Sequence, residues 1–167
     1  ELRTKSASIA PLLTREPIRN CIVALSFVPE TIGRALDHKV PPLEQRIRAA
    51  RKLVERGWCL GLRFDPMIYC ENFREAYRDL ILNIFSKINT QAVHSVSVGA
   101  FRMPRDYFHR VEKLYPYEPL FASPLVDRQG MVSYESALEK EMRQFLLTEL
   151  TQHVPENVIF PCEVATA

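Results

Sequence analysis

Two hydrophobic periods alternate along the chain, one of about two residues and one of about 3.6, and they divide it into strands and helices. The opening ELRTK sets Glu1, Arg3 and Lys5 on one side and Leu2 and Thr4 on the other, the pattern of a strand end. ASIAPLL predicts one short helix ended by Pro17, and NCIVALSF, between Asn20 and Pro29, a second strand. PETIGRAL predicts a helical turn or two. The clearest helix is PPLEQRIRAARKLVERG, with Pro41 and Pro42 at its start, Gly57 at its end and Leu43, Ile47, Ala50 and Val54 as one apolar stripe. WCLGLRFDP follows as a strand, then a helix from about Asn72 to Ile88 with Phe73, Tyr77, Leu80, Ile81, Ile84 and Phe85 on one face. AVHSVSVGAF predicts another strand, followed by a helix from about Pro104 to Leu114. YPYEPLFASPLVDRQG has no period and is read as an irregular loop. A last long helix near Tyr134 to His153 and a short strand in NVIFPCE complete the chain.

Strands separated by helix-length crossovers predict parallel pairing, in an α/β sheet or barrel. A parallel sheet buried on both faces reads as continuous apolar runs. These strands instead alternate. Leu60, Leu62 and Phe64 take turns with Gly61, Arg63 and Asp65; Val96 and Val98 with Ser95, Ser97 and Gly99; Val23, Leu25 and Phe27 with Ala24 and Ser26. One face of each strand is therefore apolar and covered by helices. The other, carrying Lys5, Ser26, Arg63, Asp65, Ser95 and Ser97, faces a polar interior that holds a ligand or water. The charges gather at the C-terminal strand ends, where α/β folds place their sites. The alternative is a plain ion pair, Arg63 with Asp65 or a neighbour.

Composition narrows this little. The chain has 167 residues, a net charge of +2 and 47% hydrophobic residues, ordinary values for one globular domain. The charge neither demands a nucleic-acid partner nor excludes one. No apolar run approaches the roughly 20 residues of a membrane helix and no signal-peptide pattern is present, so a cytoplasmic location is expected. Cys21, Cys59, Cys70 and Cys162 are too widely spaced for a metal motif and are read as reduced, mostly buried thiols. His109 and His153 are read as surface residues, His38 as a loop residue with nothing to make it a base. His94 is read as semi-buried on the helix-facing side of its strand. No nucleophile elbow, P-loop or dinucleotide-binding glycine motif occurs. The basic helix EQRIRAARKLVER is read as a solvated amphipathic face with Glu44–Arg48 and Glu55 contacts. Tyr115, Tyr117 and Phe121, followed by Arg128, either stack on bases or pack their loop on the core.

Taken in order, LRTKS, ALSFVPE and PPLEQRIRAARKLVERGWCLGLRFDPMI resemble the spore photoproduct lyase family of radical S-adenosylmethionine enzymes, and SVGAFRMP and DRQGMVSYESALEKEMRQFL extend the resemblance over nearly the whole chain. The resemblance implies a parallel-stranded partial (open) TIM-type barrel of about six strands with helices outside. Residues 1–167 would form its C-terminal half, including a helix–strand extension from about residue 115. It implies that Lys5 contacts the carboxylate of S-adenosylmethionine and that Ser26 contacts the same cofactor, with Arg63 and Asp65 as further pocket candidates. A lysine ammonium suits a carboxylate, and a serine hydroxyl suits the amino-acid or ribose portion.

One feature of the family is missing. Its C-x-x-x-C-x-x-C motif, which holds a 4Fe–4S cluster, does not occur here, and none of the four cysteines takes the place of the family's hydrogen-donating cysteine. The chain therefore resembles the C-terminal half of a radical enzyme, with the cluster ligands and the rest of the barrel expected upstream. The implied parent is a monomeric DNA-repair lyase that generates a 5′-deoxyadenosyl radical, abstracts hydrogen from a thymine-dimer lesion and splits it. This half alone is expected to be inactive, to expose the sheet edge at Leu2 to Lys5 and to be marginally soluble. A related radical enzyme with another substrate and a non-catalytic nucleic-acid-binding half-barrel are the alternatives.

Overall fold

A computed structural model describes residues 1–162. Five parallel strands form the main sheet: β1 (Leu2–Thr4), β2 (Ile22–Ser26), β3 (Cys59–Met67), β4 (Val93–Ala100) and β8 (Ile159–Pro161), side by side in that order. Every crossover between neighbours carries at least one helix. These are α1 (Ala10–Leu13), α2 (Glu30–Leu36), α3 (Leu43–Glu55), α4 (Phe73–Phe85), α5 (Arg105–Leu114) and α6 (Ser136–Leu150). Among the described residues β1 pairs only with β2, so its outer edge is unpaired, as the expectation of a half-barrel requires. The strand predicted in NVIFPCE is β8; Glu163 lies outside the described residues.

The predicted division of faces is present. Leu25, Leu62, Val96 and Ile159 stand level across the sheet and are buried. They meet α3, which packs on β3, and α6, which packs on β4; α4 packs against α6. The core is continuous from Leu53 and Trp58 through Tyr77 and Ile81 to Leu146 and Leu150. In α3 the apolar stripe turns through Leu53 rather than Val54, and Arg46 lies within it, only 2% exposed. The expectation of a fully solvated polar face on this helix is thus corrected. Glu44 bonds Lys87 and Asn83 at 2.8 Å, with Arg48 near enough for its charge to act on the carboxylate, while Glu55 pairs with Arg51 at 3.3 Å.

A second correction concerns residues 115–130. The segment expected to be an irregular loop holds a short helical turn, Pro119–Ala122, and a strand, β6 (Leu125–Arg128). This strand pairs antiparallel with β7 (Met131–Tyr134), which pairs in turn with β5 (Arg102–Pro104). Gln129 and Gly130 form the two-residue turn with φ of 56° and 85°. A tight hairpin needs φ above zero at both positions, which glycine adopts without strain and other residues at a cost. Asp127 supports the turn by accepting from the Gly130 N–H at 2.9 Å. Tyr134 is consequently in a strand, and the last helix starts at Ser136.

Two phenols close the end of β3. The Ile68 N–H donates to Tyr77 Oη of α4 at 2.8 Å, and the next amide, Tyr69 N–H, donates to Tyr134 Oη of β7 at 2.9 Å. Burial pushes both phenols above their ordinary pKa, so both stay protonated. Tyr77→Phe removes one acceptor without changing shape and strands a buried N–H. The expected cost is about 1–3 kcal/mol in chemical denaturation. An unchanged midpoint would show that Tyr77 is not the acceptor that matters there.

Candidate functional site

The polar face is built by register. Arg3, Ala24, Gly61 and Ser95 form one row across β1 to β4, and Ser26, Arg63 and Ser97 the next. Lys5 follows directly after β1, so it extends this face at the C-terminal rim. The structure therefore brings Lys5, Ser26, Arg63 and Asp65 to one side of one sheet, as the alternation predicts.

Arg63 is buried, 5% exposed, and all five of its N–H groups are engaged. Nη1 donates to the carbonyls of Leu62 and Ser95 at 3.1 and 3.0 Å. Nη2 donates to Ser95 Oγ at 2.9 Å and to Glu1 at 2.5 Å, and Nε donates to Glu1 at 3.2 Å. Its carboxylate partner is thus Glu1 and not Asp65. The guanidinium holds the Glu1 carboxyl below its ordinary value of 4.5, chiefly through this hydrogen bond. The pair therefore stabilises the fold above the ordinary carboxylate range, and that contribution is lost as the pH falls through the depressed value.

Asp65 is shared by two other arginines. Arg102 Nη1 donates to it at 3.0 Å and Arg3 lies 3.7 Å away, with Arg3 also donating to the Asp65 carbonyl at 2.7 Å. Arg3 Nε reaches Ser26 Oγ at 3.4 Å. At the rim, Lys5 bonds Asp37, the residue that ends α2, and Arg46 Nη1 lies 3.9 Å from the other Asp37 oxygen. The same Nη1 donates to the Ser26 carbonyl at 2.8 Å. A cleft of about 510 Å³ opens beside Asp37 and Arg46, also lined by Arg34 and His38. Among the described residues Arg3, Lys5, Arg46, Arg63 and Arg102 pair with Glu1, Asp37 and Asp65, while Glu30 also acts on Arg46, so the cations outnumber the carboxylates by a small margin that suits an anionic group. Ser97 Oγ is buried on this face without a hydrogen-bond partner.

Sequence reasoning missed Asp37, Arg46 and Arg102. Only Arg46 left a signal, because it falls inside the apolar stripe between Leu43 and Ile47. Asp37 and Arg102 lie 32 and 37 residues from their partners, beyond any local pattern.

Of the other expectations some hold and some change: His109 is exposed, as expected. His94 is exposed, at a register shift where Val93 pairs with Leu60 and Ser95 with Gly61, so the extra residue turns out of the ladder. His38 has a partner in Glu118 at 3.1 Å, His109 one in Glu112 at 3.2 Å, and His153 stacks on Phe85. The four cysteines are free and none is fully buried, with Cys59 exposed. Phe121 packs on Phe108, whereas Tyr115 and Tyr117 are exposed. Another cleft, about 630 Å³, lies between α4 and α6, away from the polar face. There Arg74 and Arg78 stack over Phe145 and pair with Glu141 and Glu149, which leaves little field for a ligand.

Comparison with known proteins bears on this site. A family model described as spore photoproduct lyase matches residues 1–159. The spore photoproduct lyase of Clostridium acetobutylicum is 19% identical over 166 residues, covering 93% of this chain and 48% of its own length. A solved double mutant of spore photoproduct lyase, with bound AdoMet and dinucleoside spore photoproduct, superposes with a TM-score of 0.78 at 16% identity, covering 95% of this chain and 49% of that one. Another, complexed with dinucleoside spore photoproduct, gives 0.76 at 17% identity with the same coverage. The chain thus spans about half the length of the relatives it matches, and shares the fold of that half. Among the described residues no helix is long and apolar enough to cross a membrane.

Gly61 tests the packing of the site. A Cβ there would lie 2.7 Å from Arg63 Nη2 and 3.0 Å from the Ala24 Cβ. Gly61→Ala is expected to push the guanidinium off Ser95 and Glu1 and to lower stability by about 1–3 kcal/mol in denaturant titration. Unaltered stability would show that Arg63 does not brace the strands.

Proposed function

The chain belongs to the spore photoproduct lyase family, and from that premise we propose that it is the C-terminal portion of a radical S-adenosylmethionine lyase that repairs a thymine-dimer lesion in DNA. Its own part is to form one wall of the S-adenosylmethionine pocket. The observation that carries this reading is the placement of Lys5 beside Ser26 at the C-terminal rim of a positively charged sheet face. Lys5 is 35% exposed, and Asp37 takes one of the three hydrogens of its ammonium. The others remain to bind a carboxylate. Ser26 accepts from Arg3 and keeps its own hydroxyl hydrogen to offer an amino-acid or ribose oxygen. Asp65 and Arg102 complete the rim beside them.

S-adenosylmethionine, when bound and reduced, supplies the hydrogen-abstracting chemistry. The residues of this chain bind and orient it, and exclude water beneath it through the packed row of Ala24, Gly61 and Ser95. The iron–sulfur cluster does not fit this chain. Among the described residues no three His, Cys, Asp or Glu side chains are grouped to hold a metal. Its ligands belong in the half of the family's length that this chain does not span, and this chain alone is inactive.

Two measurements test the reading. Calorimetric titration of S-adenosylmethionine should show Lys5→Ala weakening binding about tenfold or more, the loss of one charge-assisted hydrogen bond. Equal affinity would remove Lys5 from the pocket. Reconstitution with iron and sulfide should give no cluster absorbance, and a stable cluster would overturn the division of labour between the two halves.

A further inference from the structure

Lys5 does not stand alone at the rim. Its ammonium is held by Asp37, which ends α2, and the carboxylate's second oxygen faces the guanidinium of Arg46 at 3.9 Å. Arg46 comes from α3, is 2% exposed, donates to the Ser26 carbonyl at 2.8 Å and lies over the Phe27 ring at 6.0 Å. One buried cation therefore touches the end of β2 and the carboxylate that fixes Lys5.

The arrangement is hard to explain by stability alone. Burial lowers the pKa of Arg46, the sign that desolvation outweighs the help from Asp37. Arg46 Nε and Asp37 Oδ2 are both buried without a hydrogen-bond partner, so the pair is under-satisfied on both sides. Asp37 also places a negative charge at a helix C-terminus, where the backbone dipoles favour a cation. Apolar residues at both 46 and 37 would continue the stripe and avoid burying these charges. What the charges do supply is geometry. They tie β1, β2, α2 and α3 together at the point where Lys5 and Ser26 must present their donors at a fixed separation.

We propose that Asp37 and Arg46 are positioning residues for S-adenosylmethionine, acting through Lys5 and the Ser26 backbone without touching the ligand. The inference rests on the reading of Lys5 as the carboxylate-binding residue. Asp37 holds the ammonium over the rim and keeps the long lysine side chain from sampling solvent. Arg46 holds Asp37 and Ser26 at one distance, so the two ligand contacts form a unit. Lys5 retains hydrogens for the ligand because Asp37 uses only one of them.

The test is a thermodynamic cycle on S-adenosylmethionine affinity, measured by calorimetry for the whole chain. Its members are the wild type, Asp37→Asn, Lys5→Ala and the double variant. Asp37→Asn conserves shape at a residue that is not fully buried, and thermal unfolding of each variant confirms that it folds. Expected is a loss of about fivefold to tenfold for Asp37→Asn in the wild type and no further loss in the Lys5→Ala background. Equal losses in both backgrounds would show that Asp37 acts on the fold at large, and overturn the proposal. Unchanged or tighter binding by Asp37→Asn would overturn it too, showing that the carboxylate is a competitor for Lys5. If Lys5→Ala itself binds as the wild type does, the reading of Lys5 fails first and the inference falls with it. Arg46→Met serves as a second probe, because an apolar side chain of similar length fits the stripe. It should weaken binding and lower the unfolding temperature, since it takes the donor from the Ser26 carbonyl and a cation from Asp37, and a folded variant that binds normally would remove Arg46 from the relay.

Discussion

A sheet covered by helices on one face must close its other face by some means, and in this chain it does so with ion pairs. Arg63 shows the constraint most plainly. A buried guanidinium survives only where each N–H has an acceptor, and here two backbone carbonyls, one serine and one carboxylate provide them. The small residues around it follow from that requirement. Gly61 is bare because the guanidinium lies against its Cα, and Ser95 is a serine because its hydroxyl is one of the acceptors. Gly99 is small for a related reason, since a side chain there would meet Arg102 and Asp65.

The same constraint divides the inner face into two parts with different freedom. Around Arg63 the guanidinium is fully engaged and buried. Further toward the first strand, Lys5 and Asp37 are only partly enclosed, and Asp37 adjoins a cleft. Charged residues of similar type on neighbouring strands thus brace the sheet in the middle and stay partly open at its edge.

Much of this was legible in the sequence. The period of two in LRTK, VALS, LGLRFD and SVSVG fixes which residues share a face, because side-chain direction alternates without exception in a regular strand. The periods of about 3.6 located α3, α4, α5 and α6 to within a few residues. Three things were not legible. The hairpin of β6 and β7 lay in a stretch whose prolines and aromatics masked it, although Gln129–Gly130 between Leu125–Val126 and Met131–Val132 is a turn signal. His94 misled because a register shift interrupts the alternation it was judged by. Asp37 and Arg102 found partners through the fold alone, since pairing across strands depends on register that no local window contains.

The two tyrosines at the end of β3 have a consequence for how the molecule holds together. Ile68 is capped from α4 and Tyr69 from β7, so adjacent peptide groups are held by a helix and by the small sheet. Ser133 adds a bond to the Phe101 carbonyl at 2.6 Å, and Arg128 ties β6 to Glu139 of α6. The small antiparallel sheet is thereby stitched to the segments after β3 and β4 and, through Arg128, to α6. Val132 and Tyr134 lie in the same continuous core as Phe64 and Val98, so the two sheets share one interior.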